Sequence, residues 1–73
     1  METYLRVVVS SEGASPSELY ERLRSIGFEA TQGNYDFVYE WKSAPSRDEL
    51  IELTDEVSRR LAGCRVWFEI ETV

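Results

Sequence analysis

Residues 15–41 read SPSELYERLRSIGFEATQGNYDFVYEW, and this stretch predicts a capped helix followed by a β-hairpin. Ser15 is a suitable N-cap, Pro16 fits the first helical position, and Glu18 completes the sequence of a capping box. Apolar residues then recur at spacings of four and three, as on the buried side of a helix: Leu19, Leu23 and Ile26. Gly27 is the C′ residue expected to end this helix.

A β-hairpin is predicted for residues 28–42, because the turn-forming residues 32–34 separate two runs of β-forming residues. The first strand is short and covers residues 28–31. The second strand, residues 35–42, carries aromatic residues at period two, which predicts one shared face: Tyr35, Phe37, Tyr39 and Trp41. We expect most of this aromatic stripe to lie in the core beneath the helices, with the open sheet face as the alternative.

The flanking segments supply the rest of the fold. Residues 4–10 are β-branched and aromatic and predict a first strand, while Ser46 begins a second capping box. Apolar residues at helical spacing follow, up to Gly63: Leu50, Leu53, Val57 and Leu61. Residues 65–72 alternate and predict a last strand. The order β-α-β-β-α-β predicts one α+β, ferredoxin-like domain over residues 1–73, a four-stranded antiparallel sheet with two helices on one face.

Composition argues against several classes of function. The chain has a formal net charge of −6, a single lysine (Lys42) and scattered arginines. Binding to nucleic acid or to an anionic membrane requires clustered basic residues, so we expect neither. The chain has no histidine and one cysteine, Cys64, which leaves no Ser–His or Cys–His pair and no zinc site. We therefore expect a protein that is not an enzyme and carries no cofactor or metal.

The small size of the chain favours self-association. A domain of 73 residues buries a modest share of its surface, and no disulfide can form within one chain. We therefore expect a homodimer or a higher oligomer. The single cysteine and the lack of an export signal or a long apolar run predict a soluble protein of the cytoplasm.

Carboxylates and exposed apolar residues are the remaining candidates for chemistry. Pairs of carboxylates share strand faces: Asp36 and Glu40, then Glu69 and Glu71. We interpret them as solvated or arginine-paired residues; the alternative is a subunit that contributes them to an enzyme completed by a partner. A predicted interface patch lies on the open sheet face, because these residues alternate away from the core: Tyr4, Val8, Val38 and Trp67.

The run Gly33-Asn34-Tyr35-Asp36 resembles the Gly-x-Tyr-Asp motif of the RAM domain, the amino-acid-sensing domain of the leucine-responsive (feast/famine) regulators. The resemblance covers about residues 26–73. It implies a dimer that binds an amino acid between subunits near this turn, and it nominates all four residues of the run as ligand-binding residues. The chain contains no helix-turn-helix and has Asn34 where aspartate is more usual, so a stand-alone sensing module is implied.

Two functions are favoured over the partner-completed enzyme. The first is a non-catalytic regulatory or sensing module that dimerises and binds a small metabolite such as an amino acid. The second is a protein–protein interaction domain that uses the open sheet face or an edge strand. An ordinary hairpin turn is the alternative interpretation of Gly33 and Asn34, because this type of dipeptide favours such turns.

Overall fold

The computed structural model describes residues 1–73 as alternating strands and helices. The elements are β1 (Glu2–Val8), α1 (Pro16–Arg24), β2 (Glu29–Ala30), β3 (Phe37–Glu40), α2 (Arg47–Leu61) and β4 (Trp67–Thr72). All four strands form one antiparallel sheet in the order β2-β3-β1-β4, with both helices packed on the same face. The predicted α+β class and ferredoxin-like order of elements are confirmed. Neither helix combines the length and the apolar character needed to span a membrane.

The two helix starts differ in how completely they are capped. At α2, Ser46 accepts from the Glu49 amide at 3.2 Å and Glu49 accepts from the Ser46 amide at 2.9 Å, which is a full capping box. At α1, Ser15 accepts from the Glu18 amide at 3.2 Å, but the Glu18 side chain pairs with Arg22 at 3.0 Å. Only half of the first predicted box therefore forms, because an arginine one turn later takes up the carboxylate.

The core lies between the helices and the covered face of the sheet. It consists of nine buried residues: Leu5, Leu19, Leu23, Phe28, Phe37, Leu53, Val57, Leu61 and Cys64. Phe28 is fully buried, with its ring centre 5.5 Å from that of Tyr39. Buried Thr3 serves as the polar centre of this layer, since its hydroxyl accepts from the Trp41 indole at 2.8 Å and lies 2.7 Å from the Thr72 hydroxyl.

The aromatic stripe is split between the two faces of the sheet. Phe37, Tyr39 and Trp41 pack against the core, as expected for most of the stripe. Tyr35 instead stacks on Tyr4, with ring centres 5.0 Å apart, on the other face. The predicted strand of residues 35–42 was too long: β3 begins at Phe37, so strand alternation does not reach Tyr35.

The other predicted strand boundaries also move. β1 begins at Glu2 because Glu2 and Val73 exchange both backbone hydrogen bonds, at 3.0 and 2.9 Å, which extends the pairing of the first and last strands. β4 begins only at Trp67, because Arg65 has a φ of 56° and interrupts the extended backbone.

Candidate functional site

We define the open face as the side of the sheet that no helix covers. Cross-strand partners share a face, and the register therefore assigns its members. They are Glu2, Tyr4, Arg6, Val8, Glu29, Val38, Glu40, Trp67, Glu69 and Glu71. All four residues of the predicted interface patch lie in this set.

The exposed apolar part of the open face is concentrated at one end. Trp67 is 83% exposed and is the cross-strand partner of Val8, which is 58% exposed. Tyr4 and Val38 are partners in the middle of the sheet and are half-buried. The structure thus divides the predicted patch into an exposed pair at the end and a partly covered pair in the centre.

The charge of the open face is strongly negative. Its glutamates are opposed by a single basic residue, Arg6, whose guanidinium lies 3.9 Å from Glu69. Glu2 and Glu40 are direct cross-strand partners, an arrangement that is unfavourable for like charges. Tyr4 donates to Glu2 at 3.2 Å, and this bond, with burial and the charges of Glu2 and Glu40, raises the pKa of Tyr4.

The predicted ligand-binding turn lies in the connection between β2 and β3. Gly33 has a φ of 102°, a left-handed conformation that favours glycine, and no atom lies near the position of a Cβ. The loop is closed by a bond from the Thr31 amide to the Asp36 carbonyl at 3.0 Å. Gly33 therefore allows the backbone conformation of an exposed loop.

Asp36 acts as a clasp between this loop and β1. Its carboxylate oxygen Oδ2 accepts from the Val7 amide at 2.8 Å, and its own amide donates to the Leu5 carbonyl at 3.0 Å. The side chain thus continues the β1–β3 ladder by one bond beyond the last paired residues. One carboxylate oxygen is committed to the fold, and Oδ1 has no hydrogen bond within the chain.

Arg6 and Tyr35 attach the turn to the open face. Arg6 donates from Nε to the Asn34 carbonyl at 2.9 Å, and its guanidinium carbon lies 5.3 Å from the centre of the Tyr35 ring. The Tyr35 hydroxyl donates to the Glu71 carboxylate. This bond, together with burial and the charge of Glu71, raises the pKa of Tyr35. Of the four nominated residues, three therefore make tertiary hydrogen bonds that hold the turn in place.

An apolar groove lies on the helix side, at the end of the sheet where β1 leads into α1. Its volume is about 350 Å³. The lining residues are Val7, Val9, Pro16, Leu19, Tyr20, Ala30, Asp36 and Phe37. Asp36 is the only charged residue in this lining and the only member of the nominated turn that reaches it. Sequence periodicity missed the groove, because it forms where separate elements leave space between them.

The remaining polar residues do not form a compact cluster. No group of three or more cysteine, aspartate and glutamate side chains lies close enough to hold a metal ion. Cys64 is buried, and its sulfur lies 4.0 Å from the Arg60 carbonyl, so it occupies the core as a small side chain.

Comparison with known proteins does not add a family. No protein-family model matches the chain. Comparisons with curated proteins and with solved structures likewise found no match. The resemblance to the RAM domain stays a prediction, and function has to be inferred from the geometry of this chain.

Proposed function

We propose that this chain is a non-catalytic protein-interaction domain that binds its partner through the open face. The observation that carries the proposal is Trp67, which is 83% exposed beside Val8 on a hydrogen-bonded strand pair. A tryptophan held on a paired strand loses little conformational entropy on binding, and tryptophan is among the residues that contribute most to binding energy at interfaces. Most of the surface of this pair stays in contact with water, so a partner that covered it would bury apolar area that the fold leaves exposed.

The hydrogen bonds already made by the predicted ligand turn favour the open face over the turn as the binding site. The Asn34 carbonyl is bound by Arg6, the Tyr35 hydroxyl by Glu71, and one Asp36 oxygen by the Val7 amide. These atoms already make hydrogen bonds that hold the turn against β1 and β4, so they have a role in the fold without any ligand. The absence of histidine and the scattered carboxylates support a role without catalysis.

The test is a pair of matched truncations of exposed apolar residues. Trp67→Ala removes the proposed anchor, and Ile51→Ala removes a side chain that is 51% exposed on α2, on the opposite side of the molecule. The full chain is used as bait, and the captured partner is then purified and titrated against each variant. We expect Trp67→Ala to weaken binding by about 30-fold or more, and Ile51→Ala by less than about twofold. Equal affinities for the two variants would contradict the proposal.

A second candidate is a sensing module that binds an amino acid in the apolar groove. The observation in its favour is that Asp36, which has one carboxylate oxygen without a hydrogen bond, lines an apolar groove of about 350 Å³. A carboxylate beside an apolar surface suits an ammonium group attached to an apolar side chain. This candidate function includes dimerisation, as the resemblance to the RAM domain implies.

Leucine, valine and phenylalanine are the probes for the groove. A ligand at about 100 times its dissociation constant stabilises a fold by roughly 2.7 kcal/mol, which is a large rise in melting temperature for so small a domain. Asp36→Asn keeps an acceptor for the Val7 amide but loses the charge, so it should abolish the rise. Glu40→Gln, an equal charge change on the open face, should leave it intact. No rise with the unmodified protein would remove this candidate.

A further inference from the structure

The outer edge of β4 is open to strand addition. β4 is the last strand of the sheet and pairs only with β1. Glu2 and Val73 exchange two backbone bonds, so hydrogen-bonded and non-hydrogen-bonded pairs alternate from that point. Glu71 and Glu69 then bond to β1, and the N–H and C=O groups pointing away from the sheet belong to Phe68, Ile70 and Thr72.

The two faces of this edge differ in chemistry. On the open face, β4 presents Trp67, Glu69 and Glu71, and the Glu69 side chain is 75% exposed. On the helix side, Phe68 and Ile70 pack against the core but are only half-buried. An added strand would therefore meet negative charge on one face and apolar surface on the other.

We infer that β4 binds an extended, basic segment of a partner protein as a fifth strand of the sheet, an inference that rests on the proposed interaction function. Lysine or arginine side chains of the segment face Glu69 and Glu71, and apolar side chains at the alternate positions cover Phe68 and Ile70. A basic side chain near the end of the strand lies over the exposed Trp67 ring, where cation–π attraction adds to the contact. Backbone bonds supply affinity, and the alternation of charge supplies selectivity.

A second copy of β4 suits this edge poorly. Pairing antiparallel about a two-fold axis must match the outward-pointing residues of both strands. In the registers that overlap most of the strand, Glu69 then lies opposite Glu69 or Glu71 of the second copy. Like charges directly opposite each other destabilise a strand pair, whereas a basic segment removes the repulsion.

The experiment uses short, terminally blocked peptides with the full chain. One peptide alternates lysine with valine, and the control alternates glutamate with valine. Amide exchange is followed by NMR during titration. With the lysine peptide, we expect the amides of Phe68, Ile70 and Thr72 to exchange at least about tenfold more slowly. The amides of Glu69 and Glu71 already bond to β1 and should change little. The glutamate peptide should leave the exchange rates of all five amides unchanged.

Three variants test the two halves of the inference. Ile70→Pro removes an outward N–H without removing a bond to β1, so it should abolish binding of the lysine peptide. Glu69→Gln should weaken that binding by about two- to fivefold, as for an exposed charge pair. Glu21→Gln makes the same charge change on α1 and should leave binding unaltered. If Ile70→Pro does not fold, Glu69→Gln and the glutamate peptide decide the outcome.

Several results would overturn the inference, and they differ in which peptide binds and which residues respond. Equal binding of both peptides, or of neither, refutes a basic occupant. Shifts at Trp67 and Val8 without protection of Ile70 refute strand addition, while they leave an interaction function of the open face standing. Protection of Ile70 that rises with protein concentration in the absence of peptide identifies a second copy as the occupant.

Discussion

The clasp formed by Asp36 makes the sharpest prediction, because a single side-chain hydrogen bond carries its structural role. Asp36→Ala removes the carboxylate that accepts from the Val7 amide at 2.8 Å. The backbone bond from the Asp36 amide to Leu5 is unaffected, so the variant tests one side-chain bond. Asp36→Asn keeps a neutral acceptor of the same shape at this position.

The expected magnitude follows from the type of bond and its exposure. A hydrogen bond to a charged group contributes about 1.5–3 kcal/mol, and a bond between neutral groups about 0.5–1.5 kcal/mol. Asp36 is exposed, so water partly replaces the lost partner and the loss falls at or below the lower end of the range for a charged group. We expect Asp36→Ala to lower the free energy of unfolding by about 1–1.5 kcal/mol, and Asp36→Asn by about half as much.

Thermal and denaturant unfolding followed by circular dichroism measure this change. For a domain of this size, 1 kcal/mol corresponds to about 4–8 °C in melting temperature. Faster exchange of the Val7 amide in Asp36→Ala locates the effect at the clasp. Glu21→Ala on α1, where the side chain makes no hydrogen bond, serves as the control and should stay within about 0.5 kcal/mol.

An unchanged or raised stability in Asp36→Ala would refute this reasoning. Residues retained for binding are often neutral or unfavourable for stability, so their removal frequently stabilises a fold. A stabilised Asp36→Ala variant would therefore return Asp36 to the ligand-binding role that its motif implies. It would also strengthen the amino-acid candidate for the apolar groove.

Three further predictions concern the core, the open face and a helix cap. Thr3→Val leaves the Trp41 indole N–H without its buried partner and should lower the free energy of unfolding by about 1–3 kcal/mol, measured by urea denaturation. Tyr35 has a raised pKa because it donates to Glu71, so its contribution to stability is present below pH 10 and is lost as the pH rises through the folded-state pKa. Absorbance titration should show late ionisation of Tyr35 that becomes earlier in Glu71→Gln; an unchanged titration in that variant would exclude this bond as the cause. Ser46→Ala removes the N-cap of α2 and should destabilise the fold by about 1 kcal/mol, and a melting temperature equal to that of the unmodified protein would contradict the cap seen at this position.

Local signals allowed the elements to be predicted, whereas the connection before β3 escaped prediction. The helix-end signals each lie within one turn of the end that they predict. The structure places a helix end beside each of them: Ser15, Gly27 and Ser46. The face of Tyr35 depended instead on where β3 begins, which strand alternation alone does not indicate. That start is set by the bonds of Asp36 to β1, which come from residues about thirty positions earlier.

The nominated sites show the same division. The turn motif nominated Asp36 for ligand binding, which stays a prediction, whereas the alternation of β4 correctly placed Trp67 on the open face. Neither pattern indicated that Asp36 would reach the apolar groove, or that the outward backbone groups of β4 would be flanked by Glu69 and Glu71. The groove combines side chains from separate strands and helices, and the unpaired groups of β4 depend on the order of the strands in the sheet.

The sequence by itself determined the order of elements, the α+β class and the negative charge, because caps, periodicity and composition are properties of neighbouring residues. Only the tertiary structure decided which face Tyr35 occupies, what Asp36 binds, and which groups of β4 remain unpaired. Those outcomes depend on contacts between distant positions, such as the bond from Tyr35 to Glu71 across 36 residues of chain. Such contacts form only when the strands pair in their native register, because the register determines which distant side chains meet.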